Sequence, residues 1–440
     1  LLPLPHAQRS AAMLLVLVQG FALLLASLLL AQCTRHSSRK RTGGVDSQDG
    51  SPSTSEEPKS RKEPKKFTGR ICRQSRLSNG IRVATEAFDA TGAPDRAKIT
   101  VSVGVGSRHE MEDINGIAHF TEHAILMGPE DSYLSFRQTY EWHRQNGDTD
   151  KEVTRFKMKC ATQEDLEPAI ARLALLLVNP PIHEHIVNSE RFIIQQQCRE
   201  NFDADKHRLL FLSRMVQRVA FHPNSLGLFT QGQEHTNASI TSADIRRWYA
   251  THFKTNNTMI IAVGEVEHDE IVRWAEQYFK DFPIGDGVTA EAAVWRGDSR
   301  ICLTPQAREV FGMLAVRGPP RTDFERNPLC LIVSLLWLIP YSMFPEHLQI
   351  TADESGNVDE QTPWITEQFQ DVTTIGRMFS AVPGKERAVV EKLIGEWRYL
   401  AYETTEEMLS LAKQWYADNL RRENLQETTD RILMDMRTCD

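Results

Sequence analysis

The stretch that decides the fold is Gly116-Ile117-Ala118-His119-Phe120-Thr121-Glu122-His123-Ala124-Ile125-Leu126-Met127-Gly128. We expect residues 116–126 to form one helix. The two histidines are four residues apart, so they lie one turn apart on the same helix face. Glu122 shares that face, one residue before the second histidine. The spacing therefore predicts a cluster of two imidazoles and one carboxylate on a single helix.

This cluster has the donor types of a catalytic zinc site. Both imidazoles can reach one zinc ion at about 2.0–2.1 Å. Glu122 can take a proton from a water molecule that the metal activates and pass it to the leaving amine. His119 and His123 are therefore the predicted zinc ligands, and Glu122 is the predicted catalytic residue. The alternative is a pair of surface histidines on an amphipathic helix.

Segments on both sides of this helix extend the pattern, in order, over roughly residues 75–280. They are Leu77-Ser78-Asn79-Gly80-Ile81-Arg82-Val83, Gly106-Ser107-Arg108-His109-Glu110, Gly116-Ile117-Ala118-His119, Ile125-Leu126-Met127-Gly128 and Gly264-Glu265-Val266. With these segments the chain resembles the pitrilysin/insulinase family of zinc metallopeptidases, the inverzincins. The resemblance implies two homologous α+β halves that close like a clam, each with a mixed or antiparallel sheet flanked by helices. It also implies unfolded peptides as substrates, held by backbone pairing to a strand edge.

The third zinc ligand departs from the family pattern. In the family it is a Glu that stands seven residues after the Glu of a Glu-Arg pair. Here the pair is Glu190-Arg191, and Gln197 stands at the third-ligand position. An amide oxygen is neutral and a weaker ligand than a carboxylate, so we expect metal affinity to fall. Glu200 or Glu190 are alternative donors on the same helix, and Gln197 is equally compatible with a site no longer used.

Two more family features are absent from their usual places. Many relatives carry an Arg and a Tyr that contact the tetrahedral intermediate, but none aligns around residues 335–365, where Tyr341 is interpreted as a packing residue. The cleft motif Asn-Ala-(Phe/Tyr)-Thr is replaced by residues 146–151, Asn-Gly-Asp-Thr-Asp-Lys. Two hypotheses follow: a zinc metalloendopeptidase with a weakened site, or a non-catalytic homologue that binds peptides or supports an active, homologous partner subunit.

The rest of the folded chain favours the α+β class, because strands and helices mix without strict alternation. We expect a metallopeptidase domain over residues 74–285 and a second homologous domain over 297–440 that is short for a complete half. Predicted strands include 99–103, 259–263 and 375–381, and predicted helices include 165–178, 190–201, 268–279 and 386–399. Residues 404–407, Thr-Thr-Glu-Glu, resemble a capping box that begins the last long helix.

Composition narrows the function classes. The 440 residues allow two or three domains, and the hydrophobic fraction of 41% is ordinary for a globular protein. The net charge of -8 argues against nucleic acid as a partner. The seven cysteines are widely spaced, so we expect most to be free, with one or two bridges if the chain is exported.

The N-terminal region predicts a membrane or secretory location. Residues 1–33 form a hydrophobic segment in which 13–32 carry no charge and are long enough to span a bilayer as a helix. A membrane anchor fits slightly better than a cleaved signal peptide, and a buried core helix is the third option. The basic flank at 35–41 conflicts with export under the positive-inside rule, so orientation stays open. Residues 34–73 predict a disordered, basic linker, since 34–70 hold ten Lys/Arg against five Asp/Glu.

Overall fold

The structure is a computed structural model that describes residues 69–90, 92–127, 145–201, 208–297, 310–321, 345–351, 354, 364–422, 428, 429 and 432. The hydrophobic segment 13–32, the linker up to residue 68 and Tyr341 lie outside these residues. The first strand begins at Ile71, so the folded part starts within the last residues assigned to the linker. Within the described ranges, no helix is both long and apolar enough to cross a membrane.

A six-stranded mixed sheet organises the first half. Its strands are β1 (Ile71–Arg76), β2 (Arg82–Ala87), β3 (Ala97–Val103), β4 (Gln145–Thr149), β5 (Thr154–Cys160) and β6 (Thr258–Gly264). Their spatial order is β1-β2-β6-β3-β5-β4, with β2 and β6 parallel and the other neighbours antiparallel. The Asn79-Gly80 turn joins β1 to β2, as the sequence predicts, and β4 is an edge strand.

The helices of the first half pack on this sheet, on one another or, in one case, on strands of the second half. They are α1 (Ile117–Leu126), α2 (Leu166–Val178), α3 (Glu184–Asn201), α4 (Arg208–Phe221), α5 (Glu234–Ser239), α6 (Ser242–His252) and α7 (His268–Tyr278). The predicted start of α3 at Glu190 was wrong, because the helix begins six residues earlier, at Glu184. The missed turns begin with exposed, polar Glu184 and His185, which give no apolar signal.

The core of the first half lies between the sheet and the helices. Ile99, Val101 and Ile260 alternate along the two central strands and are fully buried under the helices, together with Phe120 of α1. The opposite face of the sheet is also covered, since Ile261 packs there in a second, smaller apolar cluster. Burial on both faces at the sheet centre fixes the strand register, because a one-residue slip would exchange the two faces.

The second half has a smaller sheet. Its elements are β7 (Val310–Gly318), β8 (Trp364–Gln368), β9 (Thr373–Ala381), α8 (Glu386–Tyr402) and α9 (Glu406–Arg422). The strands pair antiparallel in the order β7-β9-β8. Leu314, Phe379 and Leu393 form its core, and the buried ion pair between Arg377 and Glu396 joins β9 to α8. The last long helix begins at Glu406, next to the predicted capping box, but the box itself was wrong. The cap is Thr405, whose hydroxyl accepts from the Met408 backbone N–H at 3.2 Å, and the Thr404 hydroxyl instead donates to the Leu400 carbonyl.

Candidate metal centre

Glu110 and Gly116 fix the start of α1. Gly116 adopts φ +102°, a left-handed conformation that favours glycine. The buried Glu110 carboxylate accepts hydrogen bonds from the backbone N–H groups of Gly116 at 2.8 Å and Ala118 at 2.9 Å. These donors have no partner inside the helix, so a carboxylate at this end stabilises it. Burial raises the pKa of Glu110 to about 7.

His119, Glu122 and His123 lie on the inner face of α1. His119 and Glu122 are buried, at 8% and 4% exposure, and His123 is half-buried. The two imidazole rings are 4.7 Å apart between centroids and lie edge to face. This burial disagrees with a pair of surface histidines on an amphipathic helix.

Glu190 of α3 orients His123. One oxygen of this buried carboxylate lies 2.8 Å from Nδ1 of His123. When Nδ1 donates to the carboxylate, Nε2 keeps its lone pair and is available to a metal. Glu190 therefore orients the His123 ring through Nδ1 and does not serve as the third metal ligand. Its neighbour Arg191 ties α3 to the rest of the half, since its guanidinium donates to the Ile240 carbonyl at 2.8 Å.

Glu122 is held by the edge hairpin of the sheet. The Thr149 hydroxyl donates to one carboxylate oxygen of Glu122 at 2.7 Å. The other oxygen packs against Gly147, where an added Cβ would lie 2.6 Å from it. Burial raises the pKa of Glu122 to about 7, so at neutral pH this carboxyl group can both accept and release a proton.

His119 is kept neutral. Burial, reinforced by the charges of His123 and Arg214, lowers the pKa of His119 to about 3. Only a neutral imidazole can bind a metal, so this shift suits a ligand. Among the described residues, no hydrogen-bond partner contacts its buried Nδ1 atom.

Gln197 lies two helical turns after Glu190 on α3, on the same helix face. Its amide oxygen is buried, and no group in the described part of the chain donates a hydrogen bond to it. Glu200 is exposed and accepts a hydrogen bond from Gln196 at 2.9 Å, so its carboxylate is already engaged at the surface. Of the donors considered on this helix, Gln197 is the one with an unmet acceptor.

The side chains present fit a weakly held divalent ion. In the described ranges, no three His, Cys, Asp or Glu side chains are placed to hold a metal. A third donor from this part of the chain must therefore be of another type, and an unpaired amide oxygen is one. Two neutral imidazoles and an amide carry less negative charge than the family's ligand set, which weakens attraction for a cation.

Comparisons with known proteins match both halves. Residues 87–232 match the family model "Insulinase (Peptidase family M16)", and residues 239–416 match "Peptidase M16 inactive domain". Mitochondrial-processing peptidase subunit beta of Caenorhabditis elegans is 26% identical over 78% of this chain and 75% of its own length. Ubiquinol-cytochrome-c reductase complex core protein I of Euglena gracilis is 31% identical, over 48% of this chain and 42% of its own length.

Solved structures share the fold. A chain of complex III2 from Candida albicans superposes with a TM-score of 0.69 at 20% identity, covering 82% of this chain and 84% of that one. A protease from Helicobacter pylori gives 0.67 at 16% identity, covering 84% and 90%. At these identities the structures establish a common two-half fold and nothing finer. Together with the two family matches, they show that this chain belongs to peptidase family M16, the insulinase family.

Proposed function

We propose that the protein is a zinc-dependent metalloendopeptidase that cleaves unfolded peptides. Glu122 is the proton carrier, and His119, His123 and Gln197 are the metal ligands. The placement of Glu122 supports this most directly. Glu122 is buried beside two histidines, accepts a hydrogen bond from Thr149, and has a pKa raised to about 7. A bound zinc ion would polarise the peptide carbonyl and acidify a water molecule.

The protein's own residues supply the rest of the chemistry. Glu122 takes a proton from the attacking water and gives it to the leaving nitrogen, which needs a pKa near the working pH. Thr149 holds one carboxylate oxygen, which leaves the other for the water. Among the strands that the structure describes, β4 is at the edge of its sheet, and its residues Gly147 and Thr149 contact Glu122. Its outer backbone groups could therefore pair with an extended peptide next to the site.

The second candidate function is a supporting subunit without catalysis. Gln197 favours it, because a neutral ligand weakens the metal site. The human relative, cytochrome b-c1 complex subunit 1, and the Euglena core protein are named as parts of a respiratory complex, whereas the nematode relative is named as a peptidase subunit. All three are mitochondrial or respiratory-complex proteins by name, so we propose a mitochondrial rather than secretory location. Membrane anchoring through 13–32 stays a prediction, and a homologous partner subunit suits both functions.

The test is cleavage of an unstructured, quenched fluorescent peptide by the purified full chain with added zinc. We expect measurable cleavage by the wild type and a loss of at least about 100-fold in Glu122→Gln. Zinc content should be the same in both proteins. Glu200→Gln is the matched control, since this exposed carboxylate on α3 accepts a hydrogen bond from its neighbour Gln196 at the surface. Wild type that binds zinc but does not cleave would favour the supporting subunit.

A further inference from the structure

The turn between β4 and β5 contacts two distant parts of the molecule. On one side Thr149, the last residue of β4, donates its hydroxyl hydrogen bond to Glu122. On the other side Glu152 points to the second half of the chain. Its oxygen Oε1 accepts a hydrogen bond from the backbone N–H of Gln370 at 3.0 Å. Only two residues, Asp150 and Lys151, therefore separate the contact to the site from the contact to the second half.

Four charged side chains meet at this junction, and we call them the interface cluster: Arg108 and Glu152 from the first half, Arg321 and Asp371 from the second. Arg108 lies 2.7 Å from Glu152 and 2.6 Å from Asp371, and Arg321 lies 3.2 Å from Glu152. Arg108, Glu152 and Arg321 are each at most 9% exposed. Removal of one of these charges deprives its buried neighbours of an opposite charge.

The turn itself is tightly hydrogen-bonded. The Asp150 carboxylate accepts from the backbone N–H groups of Glu152 and Val153, each at 2.7 Å. Two backbone bonds join it to the segment that carries Arg108: Ser107 N–H to the Asp150 carbonyl at 3.1 Å, and Arg108 N–H to the Lys151 carbonyl at 2.8 Å. These bonds hold the turn from Thr149 to Glu152 in one fixed arrangement.

We propose that this turn couples the contact between the two halves to the placement of Glu122. In this account Thr149 is a positioning residue for Glu122, and the interface cluster determines where Thr149 stands. The positioning role rests on the proposed function, because it takes Glu122 as the proton carrier. The mechanical coupling does not, since it concerns only the cluster and the turn. The second half then contributes to the site through its contacts with this turn.

The coupling is tested by hydrogen–deuterium exchange on the full chain. Asp371→Asn alters only the second half, yet we expect the amides of residues 149–153 in the first half to exchange at least about tenfold faster. Strands β3 and β6 and strands β7 and β9 should keep wild-type protection. Glu391→Gln is the matched control: it breaks an ion pair with Arg387 that is exposed and also lies in the second half, and it should change nothing.

Arg321→Gln is a second variant, because Arg321 contacts Glu152 from a different segment of the second half. We expect this variant to show the same faster exchange at residues 149–153, and it keeps the test decisive if Asp371→Asn unfolds β7 and β9. Wild-type exchange at residues 149–153 in a variant that keeps its second half folded would contradict the coupling, whatever the peptidase activity.

The positioning role has its own readout. Thr149→Val should lower kcat at least about tenfold with KM nearly unchanged, because a misplaced proton carrier affects the reaction and not peptide binding. Thr149→Ser keeps a hydroxyl and should restore most of the loss. Equal losses in both variants would contradict the role. An inactive wild type would overturn the positioning role together with the proposed function, and the exchange experiment would still decide the coupling.

Discussion

The buried carboxyl of Glu122 makes a prediction that needs neither metal nor substrate. Its pKa is raised from 4.5 to about 7 by burial. A carboxyl whose pKa is higher in the folded state contributes stability below pH 4.5, and this stability is lost as the pH rises through 7. We therefore expect metal-free Glu122→Gln to gain about 1–3 kcal/mol in free energy of unfolding, relative to wild type, between pH 5 and pH 8.

Urea unfolding of both proteins at several pH values measures this difference. Glu110 has a pKa raised in the same direction, but it is present in both proteins and cancels in the comparison. A difference between variant and wild type that stays constant from pH 5 to pH 8 would contradict the buried, protonatable carboxyl.

For single residues, the sequence predicted some contacts of the site and not others. The i, i+3, i+4 spacing of His119, Glu122 and His123 predicted their common face, because that geometry is internal to one helix. The bond between His123 and Glu190 and the bond between Glu122 and Thr149 join different elements. They depend on how α3 and the β4–β5 hairpin approach α1, which no local spacing encodes. The Glu-Arg pair and the altered cleft motif marked the right segments without revealing these contacts.

At the scale of elements, the start of α1 depends on a glycine. At Gly116 an added Cβ would lie 2.5 Å from the Asn237 side-chain oxygen and 2.9 Å from the Cα of Gly232. Gly384 has a similar φ of +90°, but nothing lies within 4 Å of an added Cβ there. Both substitutions to alanine force an unfavourable conformation, and only Gly116→Ala adds a collision. We expect it to cost about 1–3 kcal/mol more than Gly384→Ala.

Equilibrium unfolding, followed separately for each half, measures the two losses. Equal losses would contradict a tightly packed start for helix α1.

Packing between elements explains why the types of the elements were easier to predict than the residues at which they begin and end. Helix α2 has a clear apolar stripe and ends at the predicted residue, Val178. Helix α3 begins earlier than predicted, because its polar first turn is fixed by contacts such as the one from Glu184 to Ser242.

At the scale of the whole molecule, each half has its own core, and the second also has a buried ion pair. Arg377 and Glu396 are 6% and 0% exposed. Arg377→Met removes the buried guanidinium that pairs with the Glu396 carboxylate, so we expect a loss of about 3–5 kcal/mol in the stability of the second half. Adding Glu396→Leu should recover most of it. Differential scanning calorimetry checks this, and a double variant no more stable than the single one would contradict the ion pair.

The resemblance to the family, carried by the motifs over residues 75–280, implied the two-half fold, and the structure and the family matches confirm it. The junction between the halves could not be predicted. The sequence marked Arg108 as part of the Gly-Ser-Arg-x-Glu turn of the family, but its partner Asp371 lies 263 residues away along the chain. Such pairs arise only when both sheets are folded and docked, so a one-dimensional pattern carries no signal for them.

The central claim is that His119, His123 and Gln197 form a metal centre. Equilibrium dialysis followed by metal analysis tests it directly, with wild type, Gln197→Glu and Glu200→Gln measured side by side. We expect one zinc per chain in all three, bound at least about tenfold more tightly in Gln197→Glu, because a carboxylate compensates the charge of zinc and an amide does not. Glu200→Gln should match wild type. A Gln197→Glu protein that binds zinc no more tightly than wild type would contradict the claim.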